Sequence, residues 1–204
     1  MQVCEWLNVN KLSRNTGKSN FVIFHPYQHK AYYDVNLKIY DNSLQKSIPL
    51  ERKNYVKYLG VLIDSNLSWR YHIDHISSKI SKGVGIIARL RHFVPSNTLI
   101  RIYRSLIEPY ISYGLTAWGQ AANCHLNKLL ILQKRALRLI YFSDCRAHAI
   151  PLFVSVSILP LNLLFFKYMA ILMHNVANHC APSKITDLFI RSDFIHSQIG
   201  RAHV

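Results

Sequence analysis

Half of this 204-residue chain is apolar, which excludes a disordered segment, and its length allows one or two domains with a buried core. Twenty-five basic against ten acidic side chains give a net charge of +15, so the expected partner is a polyanion, nucleic acid first and an anionic membrane second. Four scattered cysteines (Cys4, Cys124, Cys145, Cys180), with neither a CxxC pair nor zinc spacing, argue against a disulfide scaffold and for a reducing, intracellular setting.

The first ten residues lack a basic stretch followed by a long apolar run, so no signal peptide is expected. A short helix is expected over residues 6–10, a polar turn over 15–17 and a strand over 20–24. Gly17-Lys18-Ser19 has the ending of a phosphate loop without its upstream glycine or preceding strand, and so does not read as a nucleotide site. Tyr32-Tyr33-Asp34-Val35 sets an aromatic beside an aspartate, but a two-metal site needs paired carboxylates and Asp34 has no acidic neighbour. Residues 37–40 read as a strand, Asp41-Asn42-Ser43 as a turn, and 48–50 lead towards the next strand.

The middle of the chain turns on residues 53–72. Tyr55, Val56, Tyr58, Val61 and Ile63 give strand composition, Gly60 marks a place where a backbone approaches something closely, and Asp64-Ser65-Asn66 ends the strand. Beyond it the period changes from two to 3.6. Ile73, Ile76, Ile80, Val84, Ile87 and Leu90 form one apolar stripe of a helix over 73–91, with Gly83 and Gly85 weakening its middle. Lys79, Lys82, Arg89 and Arg91 face the other way.

Ser96 is the expected cap of a second helix that buries Leu99, Ile102, Leu106 and Ile107 and turns Arg101 and Arg104 outward, until Pro109 interrupts it. The aromatic stretch 110–118 places Gly114 at a close contact and stops at Gly119. A third helix over 125–141 buries Leu126, Leu129, Leu130, Leu137 and Ile140, and carries Lys128, Lys134, Arg135 and Arg138 elsewhere. A fourth over 161–176 is apolar nearly all round and is expected to be central, and a short last helix runs over 182–189. Residues 149–166 are uncharged, but Pro151 and Pro160 would break a membrane span there, so none is expected.

The fold class expected is therefore α+β, with a short N-terminal β-hairpin region followed by a mainly helical bundle. Residues 1–64 hold nine basic and five acidic side chains, and residues 65–150 hold twelve and three, so the helical part faces the polyanion. His72, His75, His174 and His179 lack a ligand set at zinc spacing, and no metal site is expected. A basic helical module acting on an anionic membrane or a protein partner is the alternative reading.

Several motifs in linked order carry a resemblance. Trp6-Leu7-Asn8, Asn10-Lys11-Leu12, Asn15 and Lys18-Ser19 followed by Phe24, then Tyr58-Leu59-Gly60-Val61 with Trp69 and His72-Ile73 behind it, are the first group. Ile102-Tyr103, Ser112-Tyr113-Gly114, Ala117-Trp118-Gly119 and Leu132-Gln133-Lys134-Arg135 followed by Arg138 are the second. Together they resemble reverse transcriptases of non-LTR retrotransposons, jockey-like and related lineages, over residues 6–197.

The resemblance implies the end of a polymerase palm over residues 1–70 and a helical thumb with its following segment over 71–198. It implies that Lys18 helps protonate the departing pyrophosphate and that Tyr58, Leu59, Gly60 and Val61 form a primer grip. Lys79, Lys82, Arg89, Arg91, Arg101 and Arg104 are then expected to bind the RNA template and DNA primer. Two departures stand out: Arg14 where the family has an apolar residue, and Ser19 where it has threonine. The catalytic aspartates that hold Mg2+ in the intact family enzyme are expected upstream of Trp6, in a palm and fingers that this fragment lacks, so it is expected to need no cofactor and to be inactive alone. Ile199-Gly200-Arg201-Ala202-His203-Val204 matches the in-frame reading of a common sequencing adapter, and residues 199–204 are expected to be an artefact.

Overall fold

The computed structural model describes residues 46–189, 35–41, 19–26 and 28, with positions 6, 9–12, 15 and 17. Lys18, Arg14, Tyr32-Tyr33-Asp34 and residues 190–204 lie outside the described residues. The chain has the expected α+β class: short strands come first and helices fill the remainder. It divides into two compact units, Met1–His75 and Ile76–Val204.

In the first unit the strands pair two by two. β1 (Asn20–Phe21) runs parallel to β4 (Glu51–Arg52), which makes the expected strand over 20–24 much shorter. β2 (Lys38–Asp41) and β3 (Lys46–Pro49) are antiparallel, with Ile39 opposite Ile48. β5 (Tyr55–Tyr58) and β6 (Val61–Asp64) form a second antiparallel pair, with Tyr58 opposite Val61.

The single strand expected through residue 60 is thus a hairpin. Leu59 and Gly60 are its two-residue loop, at φ 45° and φ 86°. Positive φ at both central residues is the type I′ geometry, whose twist matches that of the flanking strands, and Gly60 supplies it without a side-chain penalty. Leu59 adopts the same region with a side chain, at a cost of roughly 1–2 kcal/mol.

Asp64 ends β6 and organises the step into the first helix. It is 3% exposed; Oδ2 accepts the Ser68 N–H at 2.9 Å and the Ser68 hydroxyl at 2.8 Å, and Oδ1 accepts the Trp69 N–H at 2.8 Å. These bonds hold a segment in which Leu67 and Trp69 both have positive φ. Helix α1 (Arg70–Leu90) follows, with Arg70 and Asp74 paired at 3.9 Å on its surface.

In the second unit the expected stripe is buried: Ile76, Ile80, Val84 and Ile87 are at most 4% exposed. Each contributes roughly 1.5–3 kcal/mol by leaving water. Gly83 has a packing reason, because a Cβ there would stand 3.0 Å from Ile107 Cγ1, whereas Gly85 faces open space. α2 (Ser96–Leu106) begins on Pro95 rather than Ser96. The fixed φ of Pro95 and its extended ψ of 157° put it at the cap, and no side chain caps this end. Leu99 and Ile107 are buried as expected, Ile102 is half-buried, and Leu106 is exposed instead of buried.

Pro109 does interrupt: α3 (Glu108–Ser112) restarts after Ile107 with proline in its first turn. Gly114, at φ 64°, provides the left-handed step into α4 (Leu115–Trp118). α5 (Asn123–Ile140) buries Leu129, Ala136, Leu137 and Ile140, with Leu126 and Leu130 half-buried. The uncharged stretch 149–166 is broken into α6 (Ile150–Ser155), a turn at Ser157, and the start of α7 (Leu161–Ala177). Among the described residues no helix is long and apolar enough to cross a membrane.

α7 corrects one expectation. It buries Leu161, Leu164 and Val176 but exposes Leu163, Phe166, Ile171 and Met173, so it lies on the surface of its unit with an uncovered apolar side. The final helix α8 is a single turn (Ser183–Thr186), shorter than the expected 182–189.

Candidate nucleic-acid interface

The hairpin tip is the first candidate surface. Alternation in β5 sends Tyr55 and Lys57 to one face and Val56 and Tyr58 to the other. Tyr58 and Leu59 are 63% and 72% exposed, Gly60 is exposed and Val61 is half-buried. The four residues form a turn that exposes an aromatic side chain, and not a buried strand.

Behind the tip, His72 ties helix to hairpin. Its Nδ1 accepts the Leu62 N–H at 3.3 Å, which fixes that nitrogen as unprotonated. Burial, and then the neighbouring His75, push its pKa down to about 4.

The six basic residues singled out from the sequence separate into two kinds. Lys79, Lys82 and Arg89 of α1 and Arg101 of α2 are exposed, and none forms an ion pair with another described residue. Arg104 and Arg91 are engaged in the fold. The Arg104 guanidinium donates to the Val156 carbonyl at 3.2 Å, and Arg91 lies just past the end of α1 with its guanidinium 4.2 Å from the Phe142 ring centre. The structure brings Lys79, Lys82 and Arg89 together on one side of α1, opposite the buried stripe, and holds Arg91 in a cation–π contact. Lys18 lies outside the described residues.

A second basic concavity escaped the sequence reading. A cleft of about 540 Å³ in the first unit is lined by Arg52, Lys53 and Lys57 together with Tyr55, Tyr71 and Asn54. Its signal in the sequence was the alternation of Tyr55 with Lys57; what brought Tyr71 to it was the turn at residues 64–69, which periodicity does not encode.

The motif residues of the second unit are structural. Gln133, 1% exposed on α5, donates from Nε2 to the Tyr103 hydroxyl at 2.9 Å and accepts the Leu161 N–H on Oε1 at 2.9 Å. Burial pushes the Tyr103 hydroxyl up to about 12, although the Gln133 bond works against that rise. Trp118 is fully buried and its indole N–H donates to the Tyr113 carbonyl at 2.9 Å. A Cβ on Gly119 would collide with the Phe165 ring and stand 2.6 Å from the Leu115 carbonyl. Arg138 donates twice to the Ala147 carbonyl, at 3.0 Å and 2.8 Å. Among the described residues no group of three or more His, Cys, Asp or Glu side chains could hold a metal ion.

The chain is 38% identical over 89 residues to the RNA-directed DNA polymerase from mobile element jockey of Drosophila melanogaster, covering 41% of this chain and 10% of that protein. It is 28% identical over 140 residues to the probable RNA-directed DNA polymerase from transposon X-element of Drosophila melanogaster, covering 67% of this chain and 14% of that protein. Over 95 residues it is 33% identical to the jockey polymerase of Drosophila funebris, covering 45% of this chain and 10% of that protein. No protein-family profile matches the chain, and no solved structure does. The chain therefore has distant, partial homology to RNA-directed DNA polymerases of Drosophila non-LTR elements, and spans between 10% and 14% of the relatives it matches.

Proposed function

We propose that this chain is the part of a non-LTR retrotransposon reverse transcriptase that holds template and primer, gripping the primer end with the hairpin tip and the RNA–DNA duplex with its helical unit. The observation that carries this reading is the set of exposed cations Lys79, Lys82, Arg89 and Arg101, standing without acidic partners among the described residues. The homology supplies the class of polyanion. Tyr58, Leu59, Gly60 and Val61 present backbone groups at a glycine turn, which suits contact with a sugar and phosphate.

In a polymerase of this class magnesium stabilises the attacking and leaving oxygens of phosphoryl transfer, and the described residues offer no set of ligands for it. The proposed contribution of this chain is the positioning of template and primer.

The test is titration of a labelled RNA–DNA hybrid with the purified chain at increasing salt. Contact with four phosphates predicts a slope of log affinity against log salt of about −3.6, from a loss of roughly 0.9 per phosphate. Binding that does not change between 50 and 200 mM salt would overturn the reading.

A second reading, a module that docks on protein, is favoured by one observation. A groove of about 530 Å³ is lined by Ile150, Val154, Ile158, Leu159 and Leu163 between α6 and α7, and Ile150 and Val154 are 71% and 73% exposed. Sedimentation of the chain with and without a saturating hybrid separates the two: self-association that ignores the hybrid would favour docking.

A further inference from the structure

The cleft of the first unit combines features that the reading above does not use. Tyr55 and Tyr71 stack with ring centres 4.8 Å apart and planes 22° apart, yet their side chains remain 44% and 47% exposed. Two stacked aromatic side chains left half in water present flat apolar surface beside the cations Arg52, Lys53 and Lys57. Tyr55 and Lys57 lie two residues apart on one face of β5, so the ammonium rises on the same side as the ring. Glu51, the acid of the cleft, is held by Lys53 at 3.4 Å, and the lining side chains carry a net positive charge. Asn54 adds an amide that can donate and accept.

This cleft is distinct from the hairpin tip. Tyr55 pairs with Asp64 at the far end of the hairpin from Leu59 and Gly60, four residues before Leu59, or roughly 13 Å of strand. Its volume of about 540 Å³ falls within the range of small-ligand sites. A lipid tail would need apolar depth, and Val56 is the one aliphatic side chain of the lining. A flat ring with an attached phosphate meets both halves of the surface: aromatic faces for the ring and cations for the phosphate.

We propose that this cleft takes one unpaired nucleotide of a single strand, its base stacked against the Tyr71 and Tyr55 pair and its phosphate held by Lys57. The proposal rests on the nucleic-acid reading above and deepens it: the chain would hold duplex on its helical unit and an unpaired residue on its β unit.

The test uses fluorescence anisotropy of the full chain with three probes: a deoxythymidine decamer, an abasic decamer of equal length, and an RNA–DNA hybrid. Tyr71→Leu should weaken the thymidine decamer about 10-fold and leave the abasic decamer and the hybrid within about twofold. Tyr71→Phe, which keeps the ring, should bind the thymidine decamer like the parent chain. Lys57→Ala, at an exposed strand position, should weaken both decamers and reduce their salt slope by about 0.7.

Equal loss on the thymidine and abasic decamers in Tyr71→Leu, or no loss on either, overturns the stacking site. A parent chain that binds the hybrid but neither decamer overturns this inference and leaves the duplex reading standing. A chain that binds the thymidine decamer with the expected Tyr71 dependence but no hybrid overturns the duplex reading and supports the cleft.

Discussion

The Nδ1 of His72 accepts the backbone N–H of Leu62 at 3.3 Å, so a side chain in the first turn of α1 closes a hydrogen bond that belongs to strand β6. The bond exists only while that nitrogen is unprotonated. With a pKa near 4 in the folded chain against about 6.5 unfolded, both states are neutral above pH 6.5 and the stabilisation is complete there. Between pH 6.5 and 4 the unfolded chain takes up a proton that the folded chain refuses, and stability falls by up to about 1.4 kcal/mol per pH unit. Unfolding free energies from urea titrations at pH 7.5 and pH 5 should therefore differ by an amount on the order of 2 kcal/mol. His72→Phe should be less stable at pH 7.5 and show a much smaller difference.

The hairpin loop gives a prediction of opposite signs at adjacent residues. Gly60→Ala puts a Cβ on a residue at φ 86° and should cost about 1–2 kcal/mol. Leu59→Asn replaces a residue that resists φ 45° with one that accepts it, and should stabilise by roughly 0.5 kcal/mol or more. Equilibrium urea unfolding of both variants checks the pair; if both destabilise, the loop is not the two-residue turn described.

Gln133 should be among the least replaceable side chains of the helical unit. Gln133→Leu keeps approximate volume but leaves the Leu161 N–H buried without its acceptor and removes the donor to the Tyr103 hydroxyl. Each buried polar group stranded in this way costs about 1–3 kcal/mol, so a total of roughly 2–6 kcal/mol is expected in thermal or urea unfolding. Gln133→Glu, which retains the acceptor, should cost less at low pH than at neutral pH.

Basic residues should separate by assay. Arg104→Ala, which frees the Val156 carbonyl, should lower stability by about 1 kcal/mol and change hybrid affinity little. Lys82→Ala and Arg89→Ala should leave the unfolding free energy within about 0.5 kcal/mol and each reduce the hybrid's salt slope by about 1. If Arg104→Ala and Arg89→Ala behave alike in both assays, the division between structural and ligand-facing cations fails.

Gly119→Ala should be more damaging than its chemistry suggests, because the added methyl meets the Phe165 ring and the Leu115 carbonyl together. Overpacking of this kind costs about 1–3 kcal/mol, whereas Gly85→Ala, which meets open space in a helix, should stabilise by roughly 0.5–1 kcal/mol. Thermal melts of the two variants should move in opposite directions.

The helices were legible because their signal is local. Ile76, Ile80, Val84 and Ile87 repeat at the helical period and are buried, and Pro95 and Pro109 punctuate the chain where the sequence places them. What periodicity missed depends on neighbours distant in sequence. Leu106 and Leu163 carry the same chemistry as buried leucines, and only the path of other helices decides that they face water. The hairpin at Leu59 and Gly60 was hidden because Leu59 is an unusual residue for a left-handed position. Of the candidate site, the cations on α1 could be read from the helical wheel. The engagement of Arg91 and Arg104 could not, since their partners Phe142 and Val156 lie about fifty residues further on. The cleft around Tyr71 likewise required the turn that Asp64 holds in place.

The uncovered side of α7, with Leu163, Phe166, Ile171 and Met173 open to water, sits in the same unit as the cations of α1. Apolar association grows stronger in sulfate because the salt is excluded from protein surface, while attraction to phosphates is screened away. One solution variable should therefore pull the two surfaces in opposite directions: salting-out is expected to favour association through α7 under the conditions that weaken the proposed hold on polyanions.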